Sequence, residues 1–266
     1  MASAPSSHGE RRQVTVTFSD VVGSTELSAQ LDPEDWHSIL TRYHQTAASV
    51  VKRFEGHVQQ YLGDGILILF GYPQAHENDA ERAVRAGLSL LEEVQELNKA
   101  LEKEFSKRIA VRIGIHTGEV MIRQEGSDSG NIFGETPNVA ARVQTAAEPG
   151  SVCISAATQK LVAGFFIVDD LGPHILKGFP DPVQLFKVER PSGVRSRLHA
   201  TAVNSLTPFM GREDERNLLM SRWAQAQKGH GQLVMITGEA GIGKSRLLRQ
   251  FKQDVGGAPH TWIEGE

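Results

Sequence analysis

Thiol chemistry is nearly missing: Cys153 is the single cysteine in 266 residues, so no internal disulfide can form. In the apolar stretch Ser151–Ser155 it reads as a small buried hydrophobe in a reducing compartment. Excess basic charge is missing too. With 28 Lys and Arg against 32 Asp and Glu, the net charge is -4, and the scattered cations give no footprint for nucleic acid. Long apolar runs are also lacking, because the longest, Ile66–Phe70, falls far short of the ~20 residues that cross a bilayer. Residues 1–12 have no apolar signal-peptide core. The expectation is a cytoplasmic protein with neither membrane nor nucleic acid as partner. What is present, 39% hydrophobic and 23% charged residues, is a globular composition long enough for one large or two ordinary domains.

Strand patterns fall at residues 13–18 (QVTVTF), 57–62 (HVQQYL), 66–70 (ILILF), 109–116 (IAVRIGIH), 119–123 (EVMIR), 151–155 (SVCIS) and 182–188 (PVQLFKV). Asp32-Pro33 supplies an N-cap and an N1 proline for a helix reaching about Phe54. Asn78, with Glu81 three residues on, gives a capping-box start to a helix ending near Lys103. Within it Ala80, Ala83, Val84, Gly87, Leu88, Leu91 and Val94 recur at helical spacing, so one face is buried. Thr136-Pro137 opens a third, shorter helix. This order predicts an α+β fold with a ferredoxin-like core, helices packing on one face of a mixed sheet. The expected boundaries are a disordered N-terminus at 1–11, a first domain at 12–190, a Ser-, Pro- and Gly-containing linker at 191–207, and a second segment at 208–266.

In that last segment an apolar run, Gln232–Thr237, reads as a buried strand, followed by GEAGIGKS (238–245) and a helical pattern. A strand, then G-x-x-x-x-G-K-S, then a helix is the context of a phosphate-binding P-loop. Gly238, Gly241 and Gly243 let backbone amides wrap phosphates, Lys244 reaches the β and γ oxygens, and the Ser245 hydroxyl ligates Mg²⁺. A hydrolytic domain needs more βα units than the 21 residues after Ser245 provide, so this segment reads as the start of such a domain.

The stretch QQYLGDGILILF (59–70) leaves two readings open for Asp64. Asp-Gly between apolar runs is a hairpin turn in which Gly65 takes φ > 0, or the carboxylate at the strand end holds a metal. FSDVVGST (18–25) beside LGDGILILFG (62–71) resembles the two metal-binding segments of class III adenylate and guanylate cyclases. The likeness extends over residues 12–190, through NIFGETPNVAARVQ (131–144) and ILKGFPDPV (175–183), and the downstream segment resembles a signalling-type AAA or STAND-like ATPase. The resemblance implies a fold and a reaction. It also implies that Asp20 and Asp64, helped by the Val21 carbonyl, hold two Mg²⁺ or Mn²⁺ ions per site. Val22, Gly23, Ser24 and Thr25 would cradle the β and γ phosphates. Asn138 and Arg142, four residues apart on one helix face, would orient the ribose and meet charge at the α-phosphoryl group, and Lys177 would hold the triphosphate.

In this family the two halves of a site come from different subunits, so the resemblance implies a homodimer with sites at its interface. The base-reading pair departs from the adenylate cyclase pattern: Gln60 stands where such enzymes carry Lys, and Asn131 where they carry Asp. Amides both donate and accept, so ATP is the expected main substrate with GTP as a side substrate. The expected reaction makes 3′,5′-cyclic AMP and pyrophosphate, under control of the P-loop segment. A second class stays open, a nucleotide-sensing module on the same fold that has lost turnover.

Overall fold

Strand β1 (Glu10–Val21) organises the first half of the chain, because its alternating residues serve two cores. Val14 and Val16 point into one, with Leu67, Leu69, Val120 and Ile122, while Thr17 lines the other with Val50, Ile68, Phe70, Gly87 and Ile113. The computed structural model describes residues 10–123, 131–193, 211–237, 243–256 and 260–263. They divide into two units, residues 1–193 and 194–266.

Unit one runs β1, α1 (Ser24–Ala29), α2 (Pro33–Arg53), β2 (His57–Leu62), β3 (Gly65–Phe70), α3 (Asp79–Phe105), β4 (Val111–Arg123), β5 (Asn131–Phe133), α4 (Glu135–Ala146), β6 (Val152–Ser155), α5 (Ala156–Leu161), β7 (Phe166–His174) and β8 (Val183–Pro191). The strands form one sheet in the order β2-β3-β1-β4-β6-β8-β7, with β5 paired to β4. All pairings are antiparallel except β4 with β6. This is the mixed α+β sheet expected, but helices cover both faces rather than one. Gly87 of α3 meets Ile113 and Val152, whereas Gly114, the next residue of β4, meets the backbone of α4. A Cβ on Gly114 would lie 2.0 Å from the Gln144 nitrogen, and one on Gly118 would lie 2.7 Å from Thr136 Oγ1. Two glycines four apart thus seat a helix against the strand.

The same glycine explains a second difference. Residues 109–116 and 119–123 read as separate strands, yet β4 is continuous, and Thr117 and Gly118 pair with Thr15 and Val14. Gly118 makes room for α4 instead of breaking the chain. Asp32 and Asn78 occupy the expected N-cap positions but make no side-chain caps. Asn78 Oδ1 accepts from Arg82 Nε at 2.9 Å and Glu81 from Arg85 at 2.9 Å, so the capping box is replaced by i,i+4 pairs. Residues 1–9 and 194–207 of the expected terminus and linker lie outside the described residues. Glu10 and Arg11, assigned to that terminus, pair with Ile122 and Met121.

In unit two, α6 (Glu213–Ala226) and α7 (Lys244–Val255) carry a bidentate ion pair between Arg216 and Asp254 at 2.5 and 2.7 Å. The strand expected at Gln232–Thr237 is absent: the segment is irregular, with Leu233 and Met235 exposed. A buried parallel strand needs paired neighbours, and among the described residues of this unit none pairs with it.

Candidate active site

The carboxylates of Asp20 and Asp64 meet because β1 and β3 are hydrogen-bonded neighbours. Ser19 pairs with Ile66, and Leu62 with Gly65, so the last turn of β1 lies beside the β2–β3 hairpin. The hairpin turn is Gly63-Asp64, and Gly63, at φ +67°, takes the left-handed position expected of Gly65. Gly first and a negative φ second is the sign pattern of a type II′ turn, which matches strand twist. Asp64 is therefore a turn residue and a neighbour of Asp20 at once; the two open readings do not exclude each other.

Asp20 is 27% exposed at its side chain and lies beside the Asp64 carboxylate. Burial first, and then the adjoining Asp64 carboxylate, hold its pKa above the ordinary value, against the opposing pull of Arg112. Arg112, its register partner on β4, places Nη2 3.3 Å from Oδ2, and Gln144 Nε2 of α4 donates to the same oxygen at 3.0 Å. Next to Asp20, Ser19 Oγ bonds the buried Tyr43 hydroxyl at 2.8 Å, fixing β1 on α2. Burial drives the Tyr43 phenol well up. His44 stacks on Tyr61 at 4.6 Å between centroids and backs the hairpin.

Two neighbouring carboxylates suit hard divalent cations, which supply the charge that offsets like-charge repulsion. Among the described residues no group of three or more His, Cys, Asp or Glu gathers. The remaining positions would fall to backbone oxygen, water and phosphate, as Mg²⁺ prefers. Val21 is buried beside Asp20. The Val22 amide donates to the Ala110 carbonyl at 2.8 Å, so it cannot serve a phosphate. The donors left for one are those of Gly23, at φ +66°, and of the first turn of α1, including Ser24 and Thr25.

Asn138 and Arg142 are exposed on the side of α4 away from its buried residues, Val139, Ala140, Val143 and Gln144. Lys177 and Gln60 are exposed as well. The chain thus brings the two candidate metal-binding carboxylates together and turns the other catalytic candidates outward. Asn131 begins β5 opposite Arg123, and its side chain, like that of Ser245, lies outside what is described; so do Gly238 and Gly241. Gly243, at φ +93°, caps α7, which starts at Lys244. Sequence reasoning overlooked Arg112 and Gln144. The signals were a cation inside the apolar β4 run and a glutamine in the stripe Ala140, Gln144, Ala147.

The family model described as the adenylate and guanylate cyclase catalytic domain matches residues 7–190, and that of an AAA ATPase domain matches residues 208–266. A protein of Rhizobium meliloti, R02095, is 31% identical over 249 residues, covering 92% of this chain but 24% of its own length. This chain spans about a quarter of that relative. Among solved structures, the adenylyl cyclase CyaB of P. aeruginosa is 30% identical with a TM-score of 0.65, covering 71% of this chain and 97% of that one. The guanylyl cyclase Cya2 is 30% identical with a TM-score of 0.67, covering 70% and 95%.

Proposed function

This chain belongs to the adenylate and guanylate cyclase family, and from that premise we propose that it converts ATP to 3′,5′-cyclic AMP and pyrophosphate, with GTP as a weaker substrate. The observation that carries the reading is the meeting of Asp20 and Asp64 at the β1–β3 end, an arrangement costly in charge unless cations occupy it. In the reaction the ribose 3′-oxygen bonds to the α-phosphorus, its proton leaves, and the bond to pyrophosphate breaks. Two divalent ions held there would ease ionisation of the hydroxyl and screen the triphosphate. Gly23 and the first-turn amides of α1 meet phosphate oxygens, Lys177 holds the triphosphate, Asn138 orients the ribose, and Arg142 meets the charge that grows at the α-phosphoryl group. Because Asn138 and Arg142 face away from their own chain's carboxylates, they serve the site of a second copy in a homodimer. The P-loop segment acts as a regulatory module.

The reading is tested by incubating the chain with ATP and Mn²⁺ and following cyclic AMP and pyrophosphate together. Asp20→Ala and Asp64→Ala should each lower turnover by at least about a thousandfold, as expected when a shared metal ligand is lost. Pyrophosphate release that persists in both variants would sink the two-carboxylate site.

A further inference from the structure

On the reading that Asp20 and Asp64 hold divalent cations, we propose that Gln144 is a positioning residue that orients Asp20 for metal binding and ties the metal pair to helix α4. Gln144 is 6% exposed, in a stripe where Ala140, Val143 and Ala147 make an apolar residue the simple choice. Its Nε2 lies 3.0 Å from Asp20 Oδ2, across 124 residues of sequence. An ionised carboxylate only accepts, so the amide must present its N–H end. The reach of that side chain is set by the sheet: α4 sits on Gly114 so closely that a Cβ there would meet the Gln144 backbone nitrogen at 2.0 Å. Thr136 Oγ1, donating to the Glu119 carbonyl at 2.6 Å, pins the other end of the helix.

The neutrality of this donor is the informative feature. Arg112 bonds the same oxygen, but its charge opposes any cation that approaches Asp20. A glutamate at 144 would add a third carboxylate to a pair that already repels. An uncharged donor instead fixes the carboxylate with the cation absent or present, the role outer partners play around metal ligands. The same helix carries Asn138 and Arg142 on its exposed side, so what seats Asp20 also seats them.

The test uses the whole chain without nucleotide, counting Mn²⁺ binding by electron paramagnetic resonance as the uptake that Asp20→Ala abolishes. Gln144→Met keeps the volume and removes the donor, while Val143→Ala opens a cavity in the same helix without touching Asp20. Gln144→Met should bind Mn²⁺ about tenfold more weakly than wild type, and Val143→Ala should bind like wild type despite a lower melting midpoint. Hydrogen exchange at residues 138–146 should slow on adding Mn²⁺ to wild type and not to Gln144→Met. Three results overturn the proposal: Gln144→Met affinity within twofold of wild type, an equal loss in Val143→Ala, or exchange in wild type that ignores Mn²⁺. Absence of Mn²⁺ uptake by wild type would instead remove the metal reading on which the proposal rests.

Discussion

At the scale of single residues, Asp20 shows why a site can be costly to its own fold. Its pKa is raised in the folded chain, so the native state retains a proton that the unfolded state has lost, and stability falls as pH rises through that raised value. The penalty is absent well below the reference value of 3.8 and grows as pH rises above it. Asp64→Asn removes the like charge, and should raise the melting midpoint in chelator at pH 7 while abolishing turnover. The gain should vanish below about pH 4, and added Mn²⁺ should stabilise wild type but not the variant. A variant that melts lower at pH 7 would mean that the two carboxylates do not repel. The proposed base-reading pair makes a separate case. Gln60 and Asn131 offer amides of either polarity, so ATP should be preferred over GTP by only about tenfold to a hundredfold in kcat/KM, the range neutral hydrogen bonds give. Gln60→Lys with Asn131→Asp should widen that ratio. If the ratio does not change, these residues do not read the base.

At the scale of elements, what was legible depended on whether the cause was local. Strands β2 and β3 declare themselves by the apolar run of β3 and an Asp-Gly turn signal one residue from the Gly63-Asp64 turn that forms, and α2 by Asp32-Pro33, so the two carboxylates could be placed at strand ends. Strand β7 escaped notice because it is an edge strand, carries Asp, Gly and Pro, and slips register between Ile167 and Val168 and again between Asp170 and Gly172. Arg112 and Gln144 escaped because their contacts with Asp20 span 92 and 124 residues, a distance at which only the sheet order decides neighbours. Strand β4 also carries a titrating device that no periodicity reveals. His116 bonds Ser155 at 2.7 Å through Nδ1, and burial lowers its pKa from 6.5 to about 4. With the folded value depressed, the unfolded chain binds the proton first, so stability is lost as pH falls from 6.5 towards 4. The loss from this group is up to about 3 kcal/mol. Denaturant unfolding at pH 7 and pH 4.5 should show His116→Gln with a smaller drop between the two than wild type; an equal drop would assign the acid sensitivity elsewhere.

At the scale of the whole molecule, the proposed function gives one chain two half-sites that face different ways. Asp20 and Asp64 converge at the β1–β3 end, while Asn138 and Arg142 stand on the exposed face of α4, whose buried face holds Asp20 through Gln144. If a second copy completes the site, the defects must complement. An Asp20→Ala chain and an Arg142→Ala chain are each inactive alone, since every site of either homodimer lacks one group. In a mixed dimer one interface site carries both defects and the other carries neither. Random pairing makes half of the dimers mixed with one intact site each, so about a quarter of wild-type activity should return by symmetry counting. The mixture should be followed for cyclic AMP after subunit exchange has been established by mass spectrometry of differently labelled chains. Recovery near that fraction fits sites shared across the interface. Exchange without recovery means that Arg142 acts on its own chain's carboxylates or on none, and the outward face of α4 must then have another use.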